Sequence, residues 1–330
     1  MRRRPRCCLV VARRGVGGGR RRRRNRSPSK GYPVNRPNVS RAGRAFREDG
    51  YIVFRQVFSD RQIELFRELR DAAVRDWCFA NGTTDRPLVV GDLLERYPRV
   101  MLGVVTHATL LDFAEAIMGP FVQLDSLVLF GAQPEPPDRR GRPVCWHRDR
   151  FGFFPPGTYT RPLTLICFAY LQPMTDEAGP LRVIPGSHRN RVGIADDDVE
   201  HPHPEEQLIR THPGDVVAIH HNLLHSGTHN VSAAERQFLG ISYTLTCLGT
   251  RDDTFDGPNC RALAETARRT HDRRLLRLLG HDDTISERQN TGFTAPDEIA
   301  WSAWRAEDDA HAKEASNERA AVDHARRMLK

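Results

Sequence analysis

The tripeptide His147-Arg148-Asp149 sets an imidazole and a carboxylate two residues apart. In an extended chain residues i and i+2 point to the same side, so His147 and Asp149 can face one ion while Arg148 points away. A histidine from a neighbouring strand would complete two imidazoles and one carboxylate. Such a facial set leaves positions open on iron for a cosubstrate and oxygen, whereas four protein ligands would describe a closed structural zinc site. His225 lies beyond the strand opened by Gly214-Asp215 and can serve as the third donor; His221 is the alternative.

Arg236 stands eleven residues beyond His225 and begins a segment that alternates through Thr246. One face carries Arg236, Phe238, Gly240, Ser242 and Thr244; the other carries Gln237, Leu239, Ile241, Tyr243 and Leu245. If the first face lines an interior, a guanidinium enters it and needs an anionic partner. Its planar fork suits a carboxylate held bidentately. That partner is either a small dicarboxylate or an Asp or Glu of the protein.

Nine of the 14 histidines fall between His147 and His229, so most must have other duties. His188, in Pro185-Gly186-Ser187-His188, is expected to stabilise its turn. His220 and His221 face opposite ways on a strand, so at most one reaches an interior site. His229 lies in a turn beside Asn230, and His201, His203 and His212 read as loop or surface residues.

The elements that must position these groups change character along the chain. Ser40 to Glu48 reads as a short helix and Tyr51-Ile52-Val53-Phe54 as a strand. Ser59 is a plausible N-cap for a helix through Phe79, with Ile63, Phe66, Leu69 and Ala73 at helical spacing. Leu110 to Met118 is a second helix, stopped by Gly119-Pro120. From Phe121 the pattern becomes that of short strands: Phe121 to Phe130, Leu163 to Leu171, Gly179 to Ile184, Val216 to Ile219 and Arg236 to Thr246, punctuated by Gly and Pro. This predicts a mainly β fold with flanking helices, a sandwich or jelly roll. His271 to Leu279 and the stretch from Pro296 onward read as helical, with Trp301 and Trp304 on one face.

The 330 residues, 39% of them apolar, suffice for a sizeable core, and no apolar run is long enough for a transmembrane helix. The formal charge of +8 misleads, because residues 1–30 hold twelve arginines, one lysine and no acid. The remainder has 37 basic against 42 acidic residues. Residues 1–39 are expected to be a disordered Arg/Gly-rich extension, of which residues 1–30 are dispensable, residues 40–250 the main domain, and residues 251–330 a helical extension packed on it. Seven scattered cysteines without a close CxxC pair suit reduced thiols in the cytoplasm.

The ordered set His147-x-Asp149, Ala178-Gly179-Pro180-Leu181-x-x-Ile184-Pro185-Gly186-Ser187-His188, Pro213-Gly214-Asp215-Val216-Val217 and His225-Ser226-Gly227-x-x-Asn230-x-Ser232-x-x-x-Arg236 resembles the phytanoyl-CoA dioxygenase family over roughly residues 45–247. The resemblance implies a double-stranded β-helix (a cupin-like jelly roll) using Fe(II), 2-oxoglutarate and O2. It places the metal ligands on His147, Asp149 and His225 and the 2-oxoglutarate clamp on Arg236, with structural help from Asn230 and Ser232. The implied reaction hydroxylates an unactivated C–H of a small molecule and releases succinate and CO2. A carboxylate at position 149 favours hydroxylation over chlorination, since iron halogenases of this general type leave that ligand position open. Trp146, Phe151 and Phe153 are expected to border the substrate pocket, and a natural-product intermediate is the expected substrate. No membrane is involved, and the protein is expected to be a monomer or homodimer. Two rival functions are an oxidative demethylase of nucleic acid and a non-enzymatic binding protein with a vestigial metal site. The arginine tail attracts the first, but it lacks aromatic interleaving for base stacking.

Overall fold

The computed structural model describes residues 39–149, 161–250, 253–282 and 297–328. The arginine-rich extension and the pocket candidates Phe151 and Phe153 lie outside the described residues. Among the described residues there are nine strands: β1 (Tyr51–Phe54), β2 (Val89–Val90), β3 (Val122–Ala132), β4 (Thr164–Tyr170), β5 (Leu181–Val183), β6 (Gln207–Ile209), β7 (Val216–His220), β8 (His225–Ser226) and β9 (Arg236–Leu245). They form two antiparallel sheets, one of order β1-β7-β4-β9-β3-β2 and one of order β6-β5-β8. The described strands do not close into a barrel.

Alternation along the six-stranded sheet divides two interiors, because successive side chains leave a strand on opposite faces. Leu127 and Leu129 of β3, Leu165, Cys167 and Ala169 of β4, and Leu239, Ile241 and Tyr243 of β9 point into a large core beneath the helices. The intervening residues Ile166 and Tyr170 join Leu181, Val183 and Ile209 of the smaller sheet in a second core. Tyr243 is fully buried, and its hydroxyl donates to Val105 O at 2.9 Å, so burial leaves no unpaired donor there.

The helices are α1 (Val39–Asp49), α2 (Asp60–Asn81), α3 (Leu93–Arg96), α4 (Pro98–Val105), α5 (Ala108–Met118), α6 (Pro258–Arg269), α7 (Arg273–Leu278) and α8 (Asp297–Met328). Together they hold more residues than the strands, so the mainly β expectation is corrected to a mixed β/α fold. Of these, α3, α4 and α6 are not singled out by the sequence, whereas the helix from Pro296 onward is expected. Ser59 does cap α2, in a capping box with Gln62. No single described helix is long and apolar enough to cross a membrane. The apolar pair α4 and α5 bends by 46°, and Met101, Val104, Leu110 and Phe113 are buried in the core.

The last helices meet the sheet through specific contacts. Arg277 of α7 is buried and donates to Pro120 O at 2.8 Å, to Asp282 at 3.0 Å and to Asp308 of α8 at 3.0 Å. Trp304 packs on Phe121 at 5.5 Å, and the Arg161 guanidinium lies 4.2 Å above the Trp301 ring. Both tryptophans thus pack against the body, at the entry to β3.

Candidate active site

His147 and His225 face one another across an isolated antiparallel bridge, closed by two backbone hydrogen bonds of 3.0 Å. The next alternate residue, Asp149, donates its N–H to His221 O at 3.1 Å, which keeps the segment extended as the two-residue spacing requires. Each ring is then oriented by its own backbone. His147 Nδ1 lies 2.9 Å from Cys145 O, and His225 Nδ1 lies 2.9 Å from Leu223 O. A carbonyl can only accept, so both Nδ1 atoms carry the proton and both Nε2 atoms present a lone pair.

Those lone pairs converge with the carboxylate. His147 Nε2 is 3.9 Å and His225 Nε2 is 3.8 Å from Asp149 oxygens, and the three donor atoms all lie within 4.8 Å of one another. His225 is buried, which pushes its pKa down; the Asp149 charge opposes that shift. A neutral imidazole is the form a metal needs. Two nitrogens and one carboxylate oxygen on the side of a cavity fit Fe(II) with open coordination positions. Among the described residues no fourth ligand joins the group, which does not fit a structural zinc site.

The cavity measures about 510 Å³ and is walled by the inward faces of β3, β4 and β9, by Leu181 of β5 and by the segment around Val144. Arg236, Phe238, Gly240 and Ser242 all line it, as the alternation of β9 predicts; Thr244 is buried and is not part of the lining. Phe130 and Phe238 stack at 4.5 Å with an 11° interplanar angle, and Phe168 meets Phe238 edge-on at 5.8 Å. A Cβ at position 240 would come within 3.2 Å of Phe130, so Gly240 leaves room for that stack.

Arg236 is buried, and one of its terminal nitrogens donates to the carbonyls of Ala178, Gly179 and Thr228. Its Nε has no partner, and among the described residues no Asp or Glu forms an ion pair with it. Of the two partners left open by the sequence, a carboxylate of the protein is therefore not the one found. Burial lowers the Arg236 pKa from its ordinary value, and Tyr170 and Glu135 act in the opposite direction. The cradle depends on Gly179, whose φ is +78° and where a Cβ would collide with Thr228 O and the guanidinium. Asn230 Nδ2 donates to Ala132 O at 3.0 Å and to Ala234 O at 2.8 Å, tying the loop between His225 and Arg236 to the end of β3.

Several expectations need correction or placement. Trp146 does not line the cavity. It packs with Ile184 and Leu224, and its Nε1 donates to His201 O at 2.9 Å. The alternation that sends His147 inward sends its neighbour outward. His221 turns its Nδ1 to Thr164 O at 3.2 Å and is not in the ligand group. His188 ties its turn to α1 through Arg47 O at 3.1 Å. The aromatic lining missing from the sequence reading is Phe130, Phe168 and Tyr170, on strands whose alternation could have revealed it.

The sequence pattern of the phytanoyl-CoA dioxygenase (PhyH) family matches residues 46–238, a stretch that includes all four proposed site residues. The chain belongs to this family. Ectoine dioxygenase of Sphingopyxis alaskensis is 28% identical over 232 residues, covering 61% of this chain and 74% of the relative. The crystal structure of EctD from S. alaskensis with bound Fe superposes with a TM-score of 0.52 at 24% identity, covering 67% of this chain and 82% of that one. HygX from Streptomyces hygroscopicus, with nickel and 2-oxoglutarate bound, gives a TM-score of 0.52 at 14% identity, covering 63% and 88% of the two chains. These structures share the fold. With its family and its two-histidine, one-carboxylate group together, the chain is an Fe(II)/2-oxoglutarate-dependent dioxygenase acting on a small molecule.

Proposed function

We propose that the enzyme hydroxylates an unactivated C–H of a natural-product intermediate or a similarly compact metabolite, with His147, Asp149 and His225 as iron ligands and Arg236 as the clamp for the far carboxylate of 2-oxoglutarate. The two facing sheets correspond to the halves of a double-stranded β-helix in this reading. Bound there, Fe(II) with 2-oxoglutarate and O2 supplies oxidative chemistry strong enough for such a bond, releasing succinate and CO2. The residues of the chain do the rest. Cys145 O and Leu223 O hold the two imidazoles, Arg236 orients the cosubstrate, and the aromatic walls exclude water and hold the substrate's C–H toward the ligand face. A carboxylate at position 149 fills the position that a halogenase leaves open, which favours hydroxylation.

The observation that carries this reading is Arg236. A buried guanidinium lines the same cavity as the three donor atoms and, among the described residues, donates only to carbonyls. The relative named ectoine dioxygenase supports a substrate of small size, and a cavity of about 510 Å³ is of the size that takes one. The test is anaerobic addition of Fe(II) and 2-oxoglutarate to the full chain, recording the visible charge-transfer band. The band is expected in wild type, absent in His225→Ala, and to need far more cosubstrate in Arg236→Ala. A well-folded, metal-loaded protein with no band would overturn the assignment.

A further inference from the structure

The charges lining the cavity select the substrate, an inference that rests on the assignment of Arg236 to the cosubstrate. Among the described residues Arg236 is the sole Lys or Arg on the cavity wall. Once its free edge holds a cosubstrate carboxylate, the described residues of the wall offer no second Lys or Arg to a substrate anion. An unpaired carboxylate in such a cavity loses its hydration without compensation.

The opposite charge is available. Glu135 lines the cavity just beyond the end of β3, placed by its backbone N–H, which donates to Asn230 O at 2.7 Å. Its carboxylate is 39% exposed, one oxygen lies 2.7 Å from His229 Nδ1, and no described Arg or Lys forms an ion pair with it. The same cavity wall carries the flat stack of Phe130 and Phe238, with Phe168 set edge-on. Such a wall packs best against a ring and also attracts a cation to its faces.

We infer that the substrate is an apolar, ring-bearing molecule with an amine or other cationic nitrogen that pairs with Glu135, and that a carboxylate substrate is disfavoured.

The experiment uses the full chain loaded with Fe(II) and 2-oxoglutarate without oxygen. Matched probes 2-phenylethylamine, 2-phenylethanol and 3-phenylpropanoate are titrated while the shift of the charge-transfer band is followed; succinate release is then read in air. The amine is expected to bind at least about tenfold more tightly than the carboxylate, the alcohol falling between them. Glu135→Gln is expected to bring the amine-to-carboxylate ratio close to one. A ratio cancels any change in iron or cosubstrate loading. Equal or tighter binding of 3-phenylpropanoate, a ratio unmoved by Glu135→Gln, or an amine that does not bind at millimolar concentration would overturn the inference. In those cases the band itself still forms; its absence from wild type would instead remove the cosubstrate assignment beneath it.

Discussion

Two groups of histidines sit close together in this molecule and do opposite work. His147 and His225 stand 4.3 Å apart, ring to ring, beside a carboxylate and at the wall of a cavity. His188 and His220 lie 4.9 Å apart and His220 and His221 4.4 Å apart, but all three are buried, His220 lies over Phe46, and none belongs to the metal-binding group. In the first group both Nδ1 atoms are occupied by carbonyls and the Nε2 atoms are left to a ligand. In the second, His220 Nδ1 accepts the N–H of Asn222 at 3.0 Å, and burial and neighbouring rings hold the imidazole neutral. Clustering is therefore not what makes a histidine a ligand; a shared carboxylate and an open side do.

The largest effect should come from breaking the first group. Asp149→Ala or His225→Ala is expected to reduce iron binding and turnover to background, measured by metal content and by succinate release. Full product formation by Asp149→Ala would show that the carboxylate is not a ligand. Next comes the other end of the cavity. Arg236→Ala removes a charge-assisted interaction worth roughly 1.5–3 kcal/mol, so the KM for 2-oxoglutarate should rise roughly 10- to 150-fold. An unchanged KM would transfer the clamp to another residue.

The second group predicts acid sensitivity. Burial, with a smaller contribution from neighbouring cations, depresses the pKa of His188 to about 4, and burial with the neighbouring His221 and His188 depresses that of His220 to about 2. Both lie below the ordinary value near 6.5, so the unfolded chain binds more protons at acid pH. Stability should be intact above about pH 6.5 and decline as pH falls, by up to about 1.4 kcal/mol per pH unit for each histidine. Denaturant titrations at several pH values should show this limb, and His220→Leu should flatten it. A slope unaffected by that substitution would assign the acid limb elsewhere. The smallest effect is expected beside the ligand group. Trp146→Phe loses one hydrogen bond, about 1 kcal/mol of stability, with turnover changed less than about twofold, since the ring packs away from the cavity. A large loss of turnover would restore Trp146 to the pocket.

Much of the site was legible because strand geometry is periodic. The two-residue spacing of His147 and Asp149, and the alternation that sends Arg236, Phe238, Gly240 and Ser242 to one face, follow from a pleat of period two. The Ser59 cap and the helix it begins were legible for a similarly local reason. Elements too short to show a period were not: β2 and β8 have two residues each, and α3 has four. The family likeness, not spacing, singled out Gly179, whose part in cradling the guanidinium emerges only when two distant loops meet.

What the sequence by itself determined is the donor chemistry: two imidazoles, one carboxylate and one guanidinium, with the local geometry to present them. What only the tertiary structure decided is which of many histidines share that carboxylate, that Arg236 forms no ion pair with a described Asp or Glu, and which aromatics wall the cavity. The physical reason is that orientation within a strand is set by adjacent residues. Pairing across 78 residues, as between His147 and His225, is set by the sheets that bring them together.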